Sequence, residues 1–270
     1  MADPAFHLPR MALTDGEREA SDRLTQLQSS AEVRATLLAL LLTPGSRREL
    51  RAWQAETRGL STARAWHAAV VQLSRASRLP WLERMLARMA DAPLGDRQAL
   101  VDAARRIMSA DGQIRPIDRL HWLALRYRLG DATLAASGPP SAQKEMRDLS
   151  LHTLREAGRV TAFLSRLVPT GDPQAGQRWY AAVMAPWLNA HDLPACQPPD
   201  ADGLFNALSE VQAMPWMLRP VLVRAWLDHA LALSPSHRLE PDAADALRLA
   251  RLLLDCPMPP ELARHYVEPD

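Results

Sequence analysis

The sequence predicts an all-α protein. Alanine, leucine and arginine are abundant, whereas isoleucine occurs only three times and aromatic residues make up 5% of the chain. The abundant residues favour helices, and the β-branched and aromatic residues that strands prefer are scarce. Apolar residues also recur three and four positions apart, as between Leu79 and Met89, which places them on one helical face. No alternating run bounded by tight-turn residues indicates a β-hairpin.

Capping and breaking signals predict the helices of the first half. Thr14 and Glu17 have the spacing of a capping box, so the first helix is expected to begin after Thr14. Thr43-Pro44-Gly45 ends the second helix, Ser46 caps the third, and Leu79-Pro80 is expected to separate two more. The predicted helices span residues 15–28, 31–42, 46–59, 61–77, 81–91, 96–109 and 116–128.

The second half follows a stretch rich in proline, serine and alanine at 135–141, which predicts a linker. Beyond it, the same signals predict helices over 141–156, 158–168, 173–189, 201–212, 215–232, 240–254 and 259–266. The chain is therefore expected to comprise an N-terminal segment with the first helix (1–30), a first helical unit (31–135), a linker (136–142) and a second helical unit (143–267).

Two segments, 97–131 and 219–255, are weakly similar to each other. Each reads as a helix, a short polar loop and a second helix that begins with Pro116 or Pro241. Proline suits the first helical turn, because the amide that it lacks would be unpaired there. A repeated helical hairpin predicts two similar units packed together.

One loop of this repeat carries a family resemblance. Ala110-Asp111-Gly112, followed by Pro116 and Asp118, resembles the Ala-Asp-Gly motif of TerB-like tellurite-resistance domains. Both hairpins are similar to the cytosolic C-terminal region that follows the peptidase in HtpX-like, membrane-anchored zinc metallopeptidases of bacteria. The resemblance covers most of the chain, from about Val33 to Pro260, although Ser236-His237 stands in place of Asp-Gly in the second hairpin. It implies two TerB-like helical units without the peptidase part.

Recognisable catalytic motifs are absent from the sequence. The metalloprotease motif His-Glu-x-x-His does not occur, nor do the nucleophile elbow, the P-loop and the dinucleotide-binding fingerprint. Lys144 is the only lysine, which disfavours lysine-based chemistry and phosphate cradling. We therefore expect that the protein is not an enzyme and binds no cofactor. A hydrolase whose site residues have an unfamiliar spacing is a less favoured alternative.

Asp111 and Asp118, with Asp102 as a further ligand, are the candidate metal-binding residues. The resemblance supports them, since TerB-like domains are associated with acidic metal-binding clusters. A hard cation such as calcium needs six to eight oxygen ligands, however, and three carboxylates on two helices supply too few. A structural turn, in which Asp111 caps backbone amides and Gly112 takes positive φ, is favoured. The alternative function is a metal-binding stress protein of the tellurite-resistance type.

Tryptophan and methionine are in surplus, with eight and ten residues. They are densest at 185–188 and 213–218, and both types are favoured at protein interfaces. Core packing is the simpler explanation, because helical spacing cannot distinguish a core from a groove. The predicted partner-binding residues are Trp187, Met214, Trp216 and Met217. The predicted function is a non-enzymatic adaptor or regulatory module that binds another protein, and the resemblance implies a protease or membrane-associated partner.

Charge and cysteine content bear on partners and location. The chain has 32 basic and 31 acidic residues, a net charge of +1, which is not typical of a nucleic-acid-binding protein. Two cysteines fit a reducing compartment. The N-terminus has no apolar segment typical of a signal peptide, and the longest apolar stretch, 36–42, is too short to span a bilayer. We expect a cytoplasmic protein without membrane insertion.

Overall fold

The computed structural model describes residues 13–130, 144–168, 173–234 and 236–269. The regular structure of these residues is entirely helical: thirteen α-helices and one short 3-10 turn, with no strand among them. The all-α prediction is confirmed.

The chain divides into two compact units, of which the first comprises, among the described residues, 13–113 and 266–269. In this first unit, α2 packs against α3, α4, α5 and α6, while α1 packs on α4 and α3 on α6. Every residue from 35 to 42, that is, the second half of α2 and the two residues after it, is buried. Neighbouring helices cover every face of this segment. The helices are α1 (Asp15–Thr25), α2 (Ser30–Leu40), α3 (Arg47–Glu56), α4 (Ala63–Gln72), α5 (Arg75–Ala90) and α6 (Leu94–Met108).

The second unit comprises the described residues between 114 and 265. Its helices pack in a series: α10 on α8, α8 on α9, α9 on α11, α11 on α12, and α12 on both α7 and α13. The 3-10 turn Met146–Asp148 precedes α8. The helices are α7 (Pro116–Leu129), α8 (Leu151–Leu164), α9 (Pro173–Met184), α10 (Ala201–Ala213), α11 (Arg219–Leu233), α12 (Pro241–Leu253) and α13 (Pro260–Ala263).

Two tryptophans connect three helices at the centre of the second unit. Trp179 and Trp226 are both fully buried. The indole N–H of Trp226 on α11 donates to the hydroxyl of Thr161 on α8 at 2.9 Å. The indole N–H of Trp179 on α9 donates to the backbone carbonyl of Trp226 at 3.2 Å. A buried indole N–H needs a hydrogen-bond acceptor, and both of these tryptophans have one.

Glu17 serves a different helix from the one predicted. Thr14 caps α1 by accepting from the Glu17 amide, but the Glu17 carboxylate does not complete the capping box. Its Oε1 accepts from the Ser74 amide at 3.0 Å and from the hydroxyls of Ser74 and Ser77, both at 2.6 Å. It thus binds the N-terminus of α5, and a reciprocal capping box forms instead at Ser29 and Glu32. Burial alone would raise the pKa of Glu17, but these hydrogen bonds hold the pKa below its ordinary value.

Two predicted helix breaks are wrong. The chain breaks at Leu73-Ser74, and α5 continues through Pro80. Leu79, Pro80, Trp81 and Leu82 are all buried, so tertiary packing outweighs the amide that proline lacks. Likewise α8 continues through Gly158, where a Cβ would meet Pro194 and the Tyr180 hydroxyl at 3.4 Å. An added Cβ would thus lie at ordinary contact distance, and this glycine does not end the helix.

The predicted organisation into two similar units is not confirmed. The division falls between Gln113 and Ile114, before α7, whereas the predicted linker at 136–142 lies outside the described residues. The helices of the first predicted hairpin, α6 and α7, therefore belong to different units, while α11 and α12 pack together in one. The apolar residues of α7 explain its place: Leu120 and Leu123 line the same small core cavity as Leu253 and Leu254 at the end of α12. The duplicated hairpin stays a prediction.

Replacing Glu17 with glutamine tests the connection between α1 and α5. Glu17→Gln should lower the free energy of unfolding at pH 7 by about 1–3 kcal/mol, because a buried carboxylate that accepts three hydrogen bonds is replaced by a neutral amide. Since the folded pKa is lowered, this contribution is present above the ordinary value of 4.5 and is lost as the pH falls through the folded pKa. Urea unfolding from pH 7 to pH 3 measures both effects. Glu19→Gln, at an exposed pair with Arg23, is the control, and an equal loss there would contradict the assignment.

Candidate functional site

The segment Met214–Leu218, here called the Trp216 loop, displays large apolar side chains. It joins α10 to α11, and its two end residues, Met214 and Leu218, are buried. Between them, Trp216 is 74% exposed and Met217 is 49% exposed. Single exposed apolar residues are common on protein surfaces, but adjacent tryptophan and methionine side chains in solvent are characteristic of an interaction site.

Hydrogen bonds within the second unit hold the backbone of this loop. The Leu218 amide donates to the Pro215 carbonyl at 2.9 Å. The buried guanidinium of Arg219 donates from Nε to the Met214 carbonyl at 3.2 Å and from Nη1 to the Leu254 carbonyl at 3.5 Å. The loop is thus fixed at both ends and tied to the end of α12. Trp216 and Met217 are presented on a defined backbone.

Met214 does not lie on the surface where the sequence placed it. It was predicted as a partner-binding residue, but it is 3% exposed and packs in the core. Its position explains the difference: its amide closes the last turn of α10 by donating to the Val211 carbonyl, and the side chain turns inward at that point. Spacing in the sequence could not separate this methionine from the exposed Met217.

Trp187, the remaining predicted partner-binding residue, lies beside α11. It is half-buried and lines an open groove of about 470 Å³ together with Pro220, Val221 and Ala225. Val221 is 44% exposed. The groove runs along the first turns of α11, and the Trp216 loop directly precedes this helix. We define the Trp216 surface as Trp187, Trp216, Met217 and Val221.

The charged side chains of the groove neutralise one another. Arg224 pairs with Asp228, four residues later, at 3.0 Å and with Glu261 of α13 at 2.7 Å. The guanidinium of Arg224 donates to the Glu261 carboxylate, and this hydrogen bond raises the pKa of Arg224 and lowers the pKa of Glu261. Because the arginine is already paired, the groove offers mainly an apolar floor to a ligand.

The two candidate metal ligands are engaged in local structure. In the first unit, Asp111 Oδ1 accepts from the Gln113 amide at 2.9 Å, and Gly112 has a φ of 79°. In the second unit, Asp118 is buried at the start of α7, where Oδ2 accepts from the Arg115 amide at 2.9 Å and Oδ1 from the Arg115 guanidinium at 2.8 Å. Within the described ranges, no three His, Cys, Asp or Glu side chains lie together as a metal site would require.

A polar cluster that the sequence did not reveal lies after α12. The Tyr127 hydroxyl donates to the carboxylate of Asp255, and Arg128 pairs with the same carboxylate at 3.1 Å. Asp255 has a φ of 50°, so this cluster holds a left-handed backbone turn. Burial raises the pKa of Tyr127 to about 12. The partners are 128 residues apart in sequence, and no local pattern could have joined them.

Comparisons with known proteins add no relative to these observations. No protein-family model, no curated protein and no solved structure matches the chain. The resemblance to TerB-like domains and to HtpX-like metallopeptidases therefore stays a prediction. Among the helices of the described residues, none has the length and apolar character to cross a bilayer.

Alanine substitutions should separate the exposed side chains from the buried one. Trp216→Ala and Met217→Ala are expected to change the free energy of unfolding by no more than about 0.5 kcal/mol, because the folded state already exposes these groups. Met214→Ala should cost about 2–5 kcal/mol through the cavity that it leaves. Chemical denaturation of the three variants measures the difference. A large loss for Trp216→Ala would show that this side chain is packed.

Divalent ions test the metal-binding alternative. We expect calcium and zinc to leave the melting temperature unchanged. The Asp118 carboxylate already accepts hydrogen bonds from Arg115, and the Asp111 carboxylate accepts one from the Gln113 amide. Asp111→Ala should cost about 0.5–2 kcal/mol, as loss of a cap does. A saturable thermal shift that is lost in Asp111→Asn with Asp118→Asn would reverse this conclusion, since a bound ion stabilises the fold by about 2.7 kcal/mol at one hundred times its dissociation constant.

Proposed function

We propose that this protein is a non-enzymatic adaptor or regulatory module that docks another protein through the Trp216 surface. The observation that carries the proposal is the exposure of Trp216 and Met217 on a loop whose ends are buried. Tryptophan dominates binding energy at interfaces when it enters a pocket on the partner. A loop that is already fixed loses little conformational entropy on binding, so more of the contact energy remains as affinity.

The neighbouring groove supports the same proposal. Trp187 and Val221 line an apolar groove at the start of α11, the helix that the loop directly precedes. The paired Arg224 and Asp228 supply a polar edge, as protein-binding surfaces have around an apolar centre. A partner element with apolar side chains, such as one face of a helix, would cover both the loop and the groove.

The resemblance to TerB-like domains and to the accessory region of HtpX-like metallopeptidases guides the choice of partner. On that basis we propose a protease or a membrane-associated protein as the partner, and a bacterial cytoplasm as the location. The two free cysteines, Cys196 and Cys256, are compatible with a reducing compartment. The non-enzymatic part of the proposal rests on the missing catalytic motifs in the sequence. It includes no cofactor and no nucleic-acid partner.

Affinity capture from a bacterial lysate, followed by photo-crosslinking, tests the proposal. A tagged chain should retain a partner, and the combined Trp216→Ala and Met217→Ala variant should retain at least about tenfold less, as loss of an interface hot spot does. A photoreactive residue introduced at Val221 should crosslink to the same partner, which would establish direct contact.

Val71→Ala is the matched control, because Val71 is 57% exposed but lies on α4 of the first unit. Its capture should equal that of the unchanged chain. Equal capture by the Trp216 variant, or an equal loss in the Val71 control, would contradict the proposed surface.

A further inference from the structure

A second surface of the second unit carries an arginine held against two aromatic rings. The guanidinium carbon of Arg126 on α7 lies 5.3 Å from the centroid of the Trp122 ring and 4.4 Å from that of Phe205 on α10. Trp122 precedes Arg126 by four residues, so both lie on one face of the helix. Contacts with two rings restrict the side chain of an otherwise exposed arginine and leave its planar N–H groups oriented.

These N–H groups have no acceptor in the described part of the chain. No hydrogen bond or ion pair joins the Arg126 side chain to another described residue, whereas the stacked Arg128 pairs with Asp255 at 3.1 Å. The indole N–H of Trp122 is also buried without an acceptor among the described residues. The Trp122 N–H is shielded from other molecules, whereas the N–H groups of the exposed Arg126 are accessible to an acceptor that a partner supplies.

We propose that Arg126, supported by Trp122 and Phe205, is a docking site for a carboxylate of an acidic segment in the protein partner. A guanidinium fork matches the two oxygens of a carboxylate, and a fixed fork binds with less loss of freedom than a mobile one. The rings beside it offer apolar contact to the side chains that flank the acid.

The position of Arg126 favours a carboxylate over a phosphate. It lies in the last turn of α7, where the helix dipole carries partial negative charge. Phosphate sites commonly use helix N-termini, whose backbone N–H groups supply several further donors. A singly charged carboxylate requires only the fork that this cluster presents.

This inference rests on the proposed function, because it gives the chemistry of the partner. Phe205 lies within α10, whose C-terminal end leads into the Trp216 loop. The distance along the helix from Phe205 to Ala213 is about 12 Å. The Arg126 cluster and the Trp216 loop are thus connected by α10, and we expect one partner to contact both.

Fluorescence anisotropy with a labelled hexaglutamate peptide tests the site on the full chain. The peptide should bind, and Arg126→Gln should weaken binding about tenfold. Arg126→Lys should weaken it to a similar extent, because charge remains but the planar fork is lost. Phe205→Leu should weaken it about fivefold by releasing the guanidinium from one ring. Circular dichroism of each variant verifies folding.

Arg105→Gln is the matched control, because Arg105 is exposed and lies in the last turn of α6 without a ring contact. It should change the affinity by less than about twofold. Equal binding by Arg126→Gln and the unchanged chain, or an equal loss in Arg105→Gln, would overturn the inference. Displacement of the peptide by inorganic phosphate at concentrations where acetate has no effect would overturn the carboxylate assignment.

The two proposals fail separately. If binding of the peptide does not depend on Arg126 while capture of the protein partner still depends on Trp216, only the proposed carboxylate site is wrong. If peptide binding depends on Arg126 but capture is unchanged in the Trp216 variant, the proposed docking surface is wrong.

Discussion

The hydrogen bond from the Trp226 indole to Thr161 is the interaction on which the second unit depends most. It joins α11 to α8 inside an apolar core, and the bond from Trp179 to the Trp226 carbonyl adds α9. A buried indole N–H is costly when unpaired, so these bonds restrict how the three helices can pack. The start of α11 and the Trp216 loop before it are held separately, by the hydrogen bonds of Arg219 to the Met214 and Leu254 carbonyls.

The sequence predicted the helical class and most helices, because composition and apolar spacing are local properties. Contacts between residues that are distant in sequence could not be predicted from such local patterns. Met214 and Met217 are three residues apart and chemically identical, yet one anchors the loop and the other faces solvent. Glu17 fits a capping box in sequence but binds Ser74 and Ser77 across the first unit. Pro80 marks a break by propensity, whereas burial of its neighbours keeps α5 continuous.

The loop that carries the family resemblance has a structural use in this chain. Asp111 and Gly112 form the turn after α6, and Asp118 caps α7 through its bonds with Arg115. The sequence correctly predicted a turn there, but it could not assign α7 to the second unit, since the contacts of α7 with α12 bring together residues far apart in the chain. The cluster of Arg126, Trp122 and Phe205 could not be predicted either, because Phe205 is far from the other two residues in the chain. Its two rings come from separate helices, and its significance depends on which donors remain unpaired.

Together these features describe a chain that holds the proposed binding surface on a fixed backbone in the absence of a partner. Amide hydrogen exchange of the free protein tests this preorganisation most directly. The Leu218 amide bonds to the Pro215 carbonyl, and the Leu222 amide bonds to the Leu218 carbonyl. If the core holds the Trp216 loop, both amides should exchange at least about a hundredfold more slowly than in an unstructured peptide. Exchange of both amides at the unprotected rate would contradict a loop held ready for binding.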